Sequence, residues 1–340
     1  MFFGELGLDG GLRPVRGVLP AVVAAAERGF GTVMVAEQNA PEAILVPGVR
    51  VIAASSLAGA VDWLRGTPGL HDGPPAAEFD GGRDLPQDRA GDGPRVTVGA
   101  AGLPGRDDRD GATSPDLAEL LGQSTARRAA EVCPAGGHHL SLLGPPGAGK
   151  TMLAERIPTI LPRLDTAAAL EVTAIHSVAG ALPPQVPLLT DPPFLAPHHT
   201  ATKAAIIGGG SGIILPGSAS LAHRGVLFLD EAPEFAKDVL DALRQPLESG
   251  EVVVARLGVI ARFPARFTLV LAANPCPCAR MAGPAEGCRC SPAARRRYLG
   301  GSGIVTAVRE WAPQLGQLRR SRSWEPEGSS WQTSVPAPAV

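Results

Sequence analysis

The sequence predicts an α/β fold built on a parallel sheet that carries a phosphate-binding loop, and three stretches support this prediction. The stretch LLGPPGAGKTML (residues 142–153) joins an apolar strand to a glycine-rich loop and then to the start of a helix. GVLFLDE (225–231) and FTLVLAAN (267–274) are apolar strand patterns that end in polar side chains. Because doubly wound sheets bind ligands at the carboxyl ends of their strands, we expect these polar side chains to meet at one edge.

The glycine-rich loop fits the pattern G-x-x-x-x-G-K-[ST] in the strand–loop–helix context that a phosphate-binding loop requires. Its glycines allow backbone N–H groups to turn inward onto phosphate oxygens, and the following helix N-terminus adds partial positive charge. We expect Lys150 to reach the β- and γ-phosphates and Thr151 to hold Mg²⁺. The predicted nucleotide-binding residues of the loop are Gly144, Pro145, Pro146, Gly147, Ala148, Gly149, Lys150 and Thr151.

The two other strand ends supply the remaining chemistry of a nucleotide-hydrolysing site. Asp230 is expected to complete the Mg²⁺ shell, and Glu231 to polarise the attacking water. Asn274 could position that water near the γ-phosphate. The alternative for Asp230 and Glu231 is that they merely begin a loop. Together the three strand ends predict an ATPase that binds ATP and Mg²⁺.

The composition of the chain limits the partners and the cellular compartment that we expect for this ATPase. The chain has 340 residues and a formal net charge of -2, so no global charge calls for nucleic acid or an acidic membrane. No signal-peptide layout and no apolar run of about 18 residues is visible, so we expect no membrane contact. The chain has 5 cysteines, and four of them are clustered, which suits a reducing compartment and predicts a cytoplasmic protein.

Four segments follow from the patterning. Residues 1–66 predict a small α/β unit with a hairpin turn at Asp9-Gly10-Gly11 and a later helix capped by Ser55 or Ser56. Residues 67–113 are dense in Gly, Pro, Asp and Arg, which predicts a disordered linker. Residues 114–299 predict the ATPase core, with Ser114 capping its first helix. Residues 300–340 have weak apolar spacing and predict a disordered tail.

Four cysteines predict a possible metal site directly after Asn274. They follow the spacing C-x-C-x9-C-x-C, and two such pairs could fold back into a tetrahedral thiolate site for Zn²⁺. Free reduced thiols and a redox switch are the alternatives. The cysteines are Cys276, Cys278, Cys288 and Cys290.

Beyond the loop, several longer stretches resemble one family. LAPHHTATKAAIIGGGSGIILPGSASLAHRGVLFLDEAPEF, LRQPLESGEVVVAR, FPARFTLVLAANPCPC and SPAARRRYLG are similar to the magnesium-chelatase-like AAA+ proteins of the YifB/ComM family. GELGLDGGLRPVRGVLPAV is similar to that family's N-terminal domain. The resemblance covers about 1–66 and 114–299. It implies a P-loop AAA+ core preceded by a partial Lon-protease-like α/β domain, with Gln123 near the adenine.

The family also implies a partner. Its members are hexameric ATPases, and the ComM members are DNA helicases that promote branch migration during natural transformation. By this resemblance, the segments 206–218 and 251–263 are inserts that face a central pore and DNA. Lys203, Arg256 and Arg262 are then candidate phosphate contacts. The alternative is that they are ordinary solvated charges.

The chain departs from the family pattern at both ends. After RRRYLG, the family continues with an arginine that reaches the neighbour's γ-phosphate and with a helical lid, and residues 300–340 match neither. We expect a reading-frame change near Gly300, or a divergent tail, and a truncated N-terminal domain. Loss of an arginine in trans can cost about 10³–10⁵ in rate, so we expect slow ATP hydrolysis by a chain that lacks it. The alternatives are a magnesium-chelatase-type motor and an ATP-binding fragment without turnover.

Overall fold

The computed structural model describes most of the chain as helices, strands and their connections. It describes residues 1–66, 77–80, 116–183, 186–210, 213–256, 259–278, 288, 290–301 and 332–334. The strands are β1 (Phe2–Phe3), β2 (Glu5–Leu6), β3 (Leu12–Arg13), β4 (Thr32–Ala36), β5 (Arg50–Ala54), β6 (Ala77–Asp80), β7 (Leu140–Leu143), β8 (Phe194–Leu195), β9 (Gly208–Gly209), β10 (Leu215–Pro216), β11 (Val226–Leu229), β12 (Glu251–Arg256), β13 (Val259–Pro264), β14 (Thr268–Ala273) and β15 (Gln332–Ser334). The helices are α1 (Val18–Glu27), α2 (Ala40–Ala43), α3 (Leu57–Arg65), α4 (Ser124–Ala135), α5 (Lys150–Arg156), α6 (Thr166–Ala179), α7 (Lys203–Ile207), α8 (Ser218–Leu221), α9 (Lys237–Ala242), α10 (Arg244–Ser249) and α11 (Pro292–Gly301).

The chain divides into two compact units. One contains Met1–Pro94 and Leu164–Thr190, and the other contains Arg95–Arg163 and Asp191–Val340. Residues 164–190, which the sequence places in the ATPase core, are therefore grouped with the N-terminal segment. No described helix is both long enough and apolar enough to cross a membrane.

The first unit is a four-stranded sheet in the order β1-β4-β5-β6 with helices packed on it. The predicted hairpin is present, because β2 and β3 pair in antiparallel fashion around Gly10, whose φ of 80° favours glycine. Ser56 caps α3, and its Oγ accepts a hydrogen bond from the Gly59 backbone N–H at 3.2 Å. These local features follow the turn and capping signals of the sequence.

Helix α6 joins the first unit through buried contacts. Leu170 and Ala174 pack against the core of that unit. The Ser177 hydroxyl donates to Glu42 Oε2 at 2.6 Å, and both side chains are buried. A buried carboxylate needs such donors, because an unpaired one would carry a large desolvation cost. These contacts explain why α6 groups with a sheet more than 100 residues earlier in the chain.

The predicted linker and tail each contain one described strand. β6 lies in 67–113 and pairs antiparallel with β5, while β15 lies in 300–340 and pairs antiparallel with β7. The rest of both predicted segments, and the predicted cap Ser114, lie outside the described residues. Backbone pairing to an existing sheet edge needs no apolar periodicity, which is why composition gave no sign of these strands.

The second unit holds a five-stranded sheet in the order β15-β7-β14-β11-β8. β7, β14, β11 and β8 run parallel, which confirms the predicted α/β fold with a parallel P-loop sheet. Leu142, Phe228 and Val270 are buried in one apolar cluster between the sheet and its helices. Because β14 lies between β7 and β11, the carboxyl ends of the three predicted functional strands are neighbours in space.

Candidate functional site

The loop between β7 and α5 has the backbone conformation that its glycines permit. Gly147 and Gly149 have φ values of 75° and 80°, in the left-handed region that side-chain-bearing residues rarely adopt. Gly149 precedes the first turn of α5, where its carbonyl accepts from the Leu153 N–H at 2.9 Å. The loop therefore turns sharply at the end of the strand and delivers Lys150 to the sheet edge.

Lys150 is buried at this edge, with 8% of its surface exposed. Its Nζ donates to the carbonyls of Gly144 and Pro145 at 2.8 and 3.0 Å, and to Asn274 Oδ1 at 3.1 Å. Burial lowers the pKa of Lys150, and the nearby carboxylates of Asp230 and Glu231 act in the opposite direction. The structure thus brings the predicted lysine and the predicted Asn274 into direct contact across β7 and β14.

Thr151 and Asp230 also meet. The Thr151 hydroxyl donates to Asp230 Oδ2 at 2.8 Å, across 79 residues of sequence. The second carboxylate oxygen of Asp230 accepts from the Glu231 backbone N–H at 2.9 Å. A hydroxyl and a carboxylate side by side are the hard oxygen donors that Mg²⁺ prefers, so this pair fits the predicted metal.

Glu231 occupies an unusual backbone position. Its φ is 49°, a left-handed conformation that costs a non-glycine residue about 1–3 kcal/mol. The side chain is exposed, and its Oε2 lies 3.5 Å from His199 Nδ1. A carboxylate exposed beside a buried lysine and a threonine–aspartate pair has the placement expected of a residue that contacts water.

His199 is a site residue that the sequence did not assign. It follows β8, whose carboxyl end lies next to that of β11, and its ring lies 4.1 Å from that of His198. The adjacent histidine pair was visible in the sequence, but the strand order that brings it to Glu231 was not. The sequence feature that could have indicated a site residue here was the position of the histidine pair shortly after a short apolar strand.

Gln123 has a left-handed backbone at the residue before α4, with φ 48°. It lines a surface depression of about 440 Å³ together with Gly122, Ser124, Arg127, Arg128 and Glu131. The loop residues 144–149 are not among the residues that line this depression. The expectation that Gln123 approaches the adenine therefore remains a prediction.

The four cysteines predicted to bind a metal converge after β14. Their Sγ atoms all lie within 4.8 Å of one another, and we call Cys276, Cys278, Cys288 and Cys290 the cysteine cluster. Cys276 is fully buried, and this burial is the main cause that raises its pKa to about 12. Hydrogen bonds with the thiols of Cys278 and Cys288 also raise this pKa. The sequence spacing therefore identified four side chains that the fold places together.

The candidate DNA contacts lie on other parts of the second unit. β12 and β13 pair in antiparallel fashion, as predicted, and the predicted turn near Gly258 lies outside the described residues. Arg262 Nη1 pairs with Glu251 Oε1 at 2.7 Å, and Arg256 donates to the Gly210 carbonyl. Lys203 is exposed at the start of α7. The hairpin also exposes apolar side chains, with Ile260 at 66%.

A parallel sheet that ends in a phosphate-loop lysine, a threonine–aspartate pair and an asparagine defines the class of P-loop AAA+ ATPase-type proteins. Two family profiles match the chain: "Magnesium chelatase, subunit ChlI" over residues 116–303 and "Subunit ChlI of Mg-chelatase" over residues 1–39. The first match covers more than half of the chain. The chain therefore belongs to the magnesium-chelatase-like family, and within it the chain is similar to the YifB and ComM proteins.

Similar proteins cover most of this chain. It is 51% identical over 333 residues to an uncharacterized protein of Mycobacterium tuberculosis. It is 41% identical over 299 residues to competence protein ComM of Haemophilus influenzae, and 39% identical over 296 residues to the uncharacterized protein YifB of Escherichia coli. These matches cover 97%, 88% and 87% of this chain, but only 59%, 53% and 52% of the relatives.

Similarity to a named chelatase subunit is more restricted. The magnesium-chelatase 38 kDa subunit of Cereibacter sphaeroides is 43% identical over 60 residues, which is 18% of this chain and 18% of that protein. The chain therefore shares one short stretch with this chelatase subunit and most of its length with the ComM and YifB proteins.

Proposed function

We propose that this chain is an ATP-binding AAA+ motor of the ComM type, which couples ATP hydrolysis to DNA remodelling. The observation that supports the ATP site most directly is the pair of side-chain contacts Lys150–Asn274 and Thr151–Asp230. Lys150 and Asn274 are 124 residues apart in sequence, and Thr151 and Asp230 are 79 residues apart. The two contacts therefore bring together the loop after β7 and the carboxyl ends of β14 and β11. An ammonium, a hydroxyl, a carboxylate and an amide on one edge of a parallel sheet suit a nucleoside triphosphate with its metal ion.

In the proposed complex, the backbone N–H groups of residues 144–149 bind the phosphates, and Lys150 exchanges its carbonyl acceptors for β- and γ-phosphate oxygens. Thr151 and Asp230 hold Mg²⁺, which neutralises phosphate charge when it is bound. Glu231 accepts a proton from the attacking water, and Asn274 orients that water. Asn274 directly contacts Lys150. Binding of the γ-phosphate to Lys150 is therefore coupled to the position of the side chain that orients the water.

The proposed DNA function draws on two observations. The ComM relative, which is named a competence protein, matches 88% of this chain, whereas the chelatase subunit matches 18%. The β12–β13 hairpin presents exposed Val259 and Ile260 beside Arg256 and Arg262, which combines apolar and cationic groups on one projection. We further propose that the motor acts in the cytoplasm as a ring of identical copies, a hexamer when the family's full set of domains is present.

A magnesium-chelatase-type motor is the second candidate, because both matching family profiles carry the chelatase subunit's name. The third candidate is an ATP-binding fragment without turnover. The three candidates differ in what stimulates phosphate release from ATP.

We expect forked DNA to raise the steady-state rate of phosphate release at least about threefold, and a porphyrin with Mg²⁺ to leave it unchanged. Association of DNA with cationic inserts supplies the physical reason, and the stimulation should weaken as salt rises. Arg256→Ala removes one of these cationic groups and is expected to reduce the stimulation by DNA. Arg50→Ala, in the first unit, is the control and is expected to keep it. Stimulation by porphyrin alone would favour the chelatase candidate. A parent rate equal to that of Lys150→Ala would favour the fragment.

A further inference from the structure

The cysteine cluster brings together two separate chain segments, one of which directly follows Asn274 of the candidate site. Cys276 and Cys278 follow β14 and Asn274, while Cys288 and Cys290 precede α11. The Sγ atom of Cys276 lies 3.0 Å from that of Cys278 and 3.5 Å from that of Cys288. The Sγ atoms of Cys278 and Cys288 are also 3.5 Å apart. Four sulfur atoms from two separated chain segments therefore share one small volume.

These separations fit one metal ion better than the other uses of four cysteines. Zn²⁺ bound tetrahedrally at about 2.3 Å from each sulfur places the sulfurs about 3.8 Å apart. The sulfurs of the cluster all lie within 4.8 Å of one another, which brackets that spacing. A disulfide requires about 2.0 Å, which none of the measured pairs approaches. An iron–sulfur cluster places several metal atoms between its cysteines, which moves the thiolates further apart.

The donor set also selects the ion. Four thiolates suit a thiophilic metal such as Zn²⁺, whereas Mg²⁺ and Ca²⁺ prefer oxygen ligands. Cys276 is fully buried, whereas Cys278 is exposed and Cys288 and Cys290 are partly buried, so one face of the cluster is open to solvent. Four thiolates this close to one another would repel, and a bound dication removes that repulsion.

We propose that the cysteine cluster binds one Zn²⁺ as a structural tetrathiolate site, and that this ion fixes the start of α11 beside the end of β14. The position of α11 matters because this helix contacts the turn Ala232–Glu234, which directly follows Glu231. The ion thus links the segment that follows Asn274 to the helix that contacts the turn after Glu231. This proposal does not depend on whether the chain hydrolyses ATP.

The first test measures zinc in the purified parent chain by inductively coupled plasma mass spectrometry. We expect one zinc per chain in the parent, and less than about 0.1 in the double variant Cys276→Ser/Cys278→Ser. Cys133→Ala is the matched control, because Cys133 is a buried core thiol on α4 outside the cluster. We expect this control to retain one zinc. A parent without zinc, or a double variant that keeps it, would overturn the proposal.

A second test uses the unmodified parent, because the double variant could fail to fold. Replacing the bound ion with Co²⁺ is expected to produce intense visible absorption and thiolate-to-cobalt charge-transfer bands, as four sulfur ligands in tetrahedral geometry require. Absence of the charge-transfer bands would contradict thiolate ligation. A mass that is lower by two or four hydrogens, which shows disulfides in the isolated chain, would also contradict it.

The link to α11 has its own measurement. α11 carries three consecutive trypsin sites, Arg295, Arg296 and Arg297. Removing the ion with a chelator under reducing conditions is expected to raise the rate of tryptic cleavage at these sites at least about tenfold, because local opening exposes the helix. Cleavage at Arg128 on α4 serves as the internal control. An unchanged rate at α11 would show that the ion does not fix this helix.

Discussion

Replacing Lys150 with alanine is expected to raise the Kd for ATP at least about 100-fold, which corresponds to about 2.7 kcal/mol. The change removes a charged donor that lies among the loop carbonyls and next to Asn274. Hydrogen bonds to charged groups contribute about 1.5–3 kcal/mol each, so losing the phosphate contacts of one ammonium accounts for this magnitude. Equilibrium dialysis with labelled ATP measures the effect directly.

Lys237→Ala is the matched control for this variant, because Lys237 is an exposed lysine at the start of α9. We expect it to bind ATP as the parent does. Thermal unfolding should accompany both titrations, since Lys150 is buried and its truncation leaves the Gly144 and Pro145 carbonyls without that donor. A folded Lys150→Ala protein that binds ATP as tightly as the parent would exclude the loop as the nucleotide site.

Glu231→Gln is expected to lower the rate of ATP cleavage by about 10²–10⁴-fold and to leave the Kd for ATP within about threefold of the parent. Glutamine has nearly the same shape but cannot accept the proton of the attacking water. Single-turnover measurement of phosphate release, with enzyme in excess over labelled ATP, separates cleavage from binding.

The control for this second variant is Glu248→Gln, an exposed glutamate on α10. Its cleavage rate is expected to equal that of the parent. If Glu231→Gln cleaves ATP at the parent rate, Glu231 does not activate the water. If the variant instead loses ATP binding, the carboxylate contributes to the nucleotide complex, which contradicts a role confined to proton transfer.

The sequence predicted the loop and the strand ends because each has a strong local signal. A lysine and threonine after a glycine-rich loop, and a carboxylate pair or an asparagine after an apolar strand, are short-range patterns. Their convergence followed from one rule about parallel sheets. The contact between Lys150 and Asn274, and that between Thr151 and Asp230, are the structural form of this rule.

Other parts of the molecule depended on long-range packing that no local pattern encodes. The apolar face of α6 was present in the sequence, but nothing in it indicated that Leu170 and Ala174 pack with the first unit, or that Ser177 bonds to Glu42. His199 could not be assigned because its proximity to Glu231 depends on the strand order β14-β11-β8. β6 and β15 were missed because edge pairing uses backbone groups that every residue carries.

The central claim is that the sheet edge at Lys150 binds ATP with Mg²⁺, and a calorimetric titration of the parent chain tests it most directly. We expect one ATP per chain in the presence of Mg²⁺. In its absence the affinity should be at least about tenfold weaker, because the ion that Thr151 and Asp230 would hold supplies charge that neutralises the phosphates. Absence of saturable binding, or binding that is the same with and without Mg²⁺, would contradict the claim.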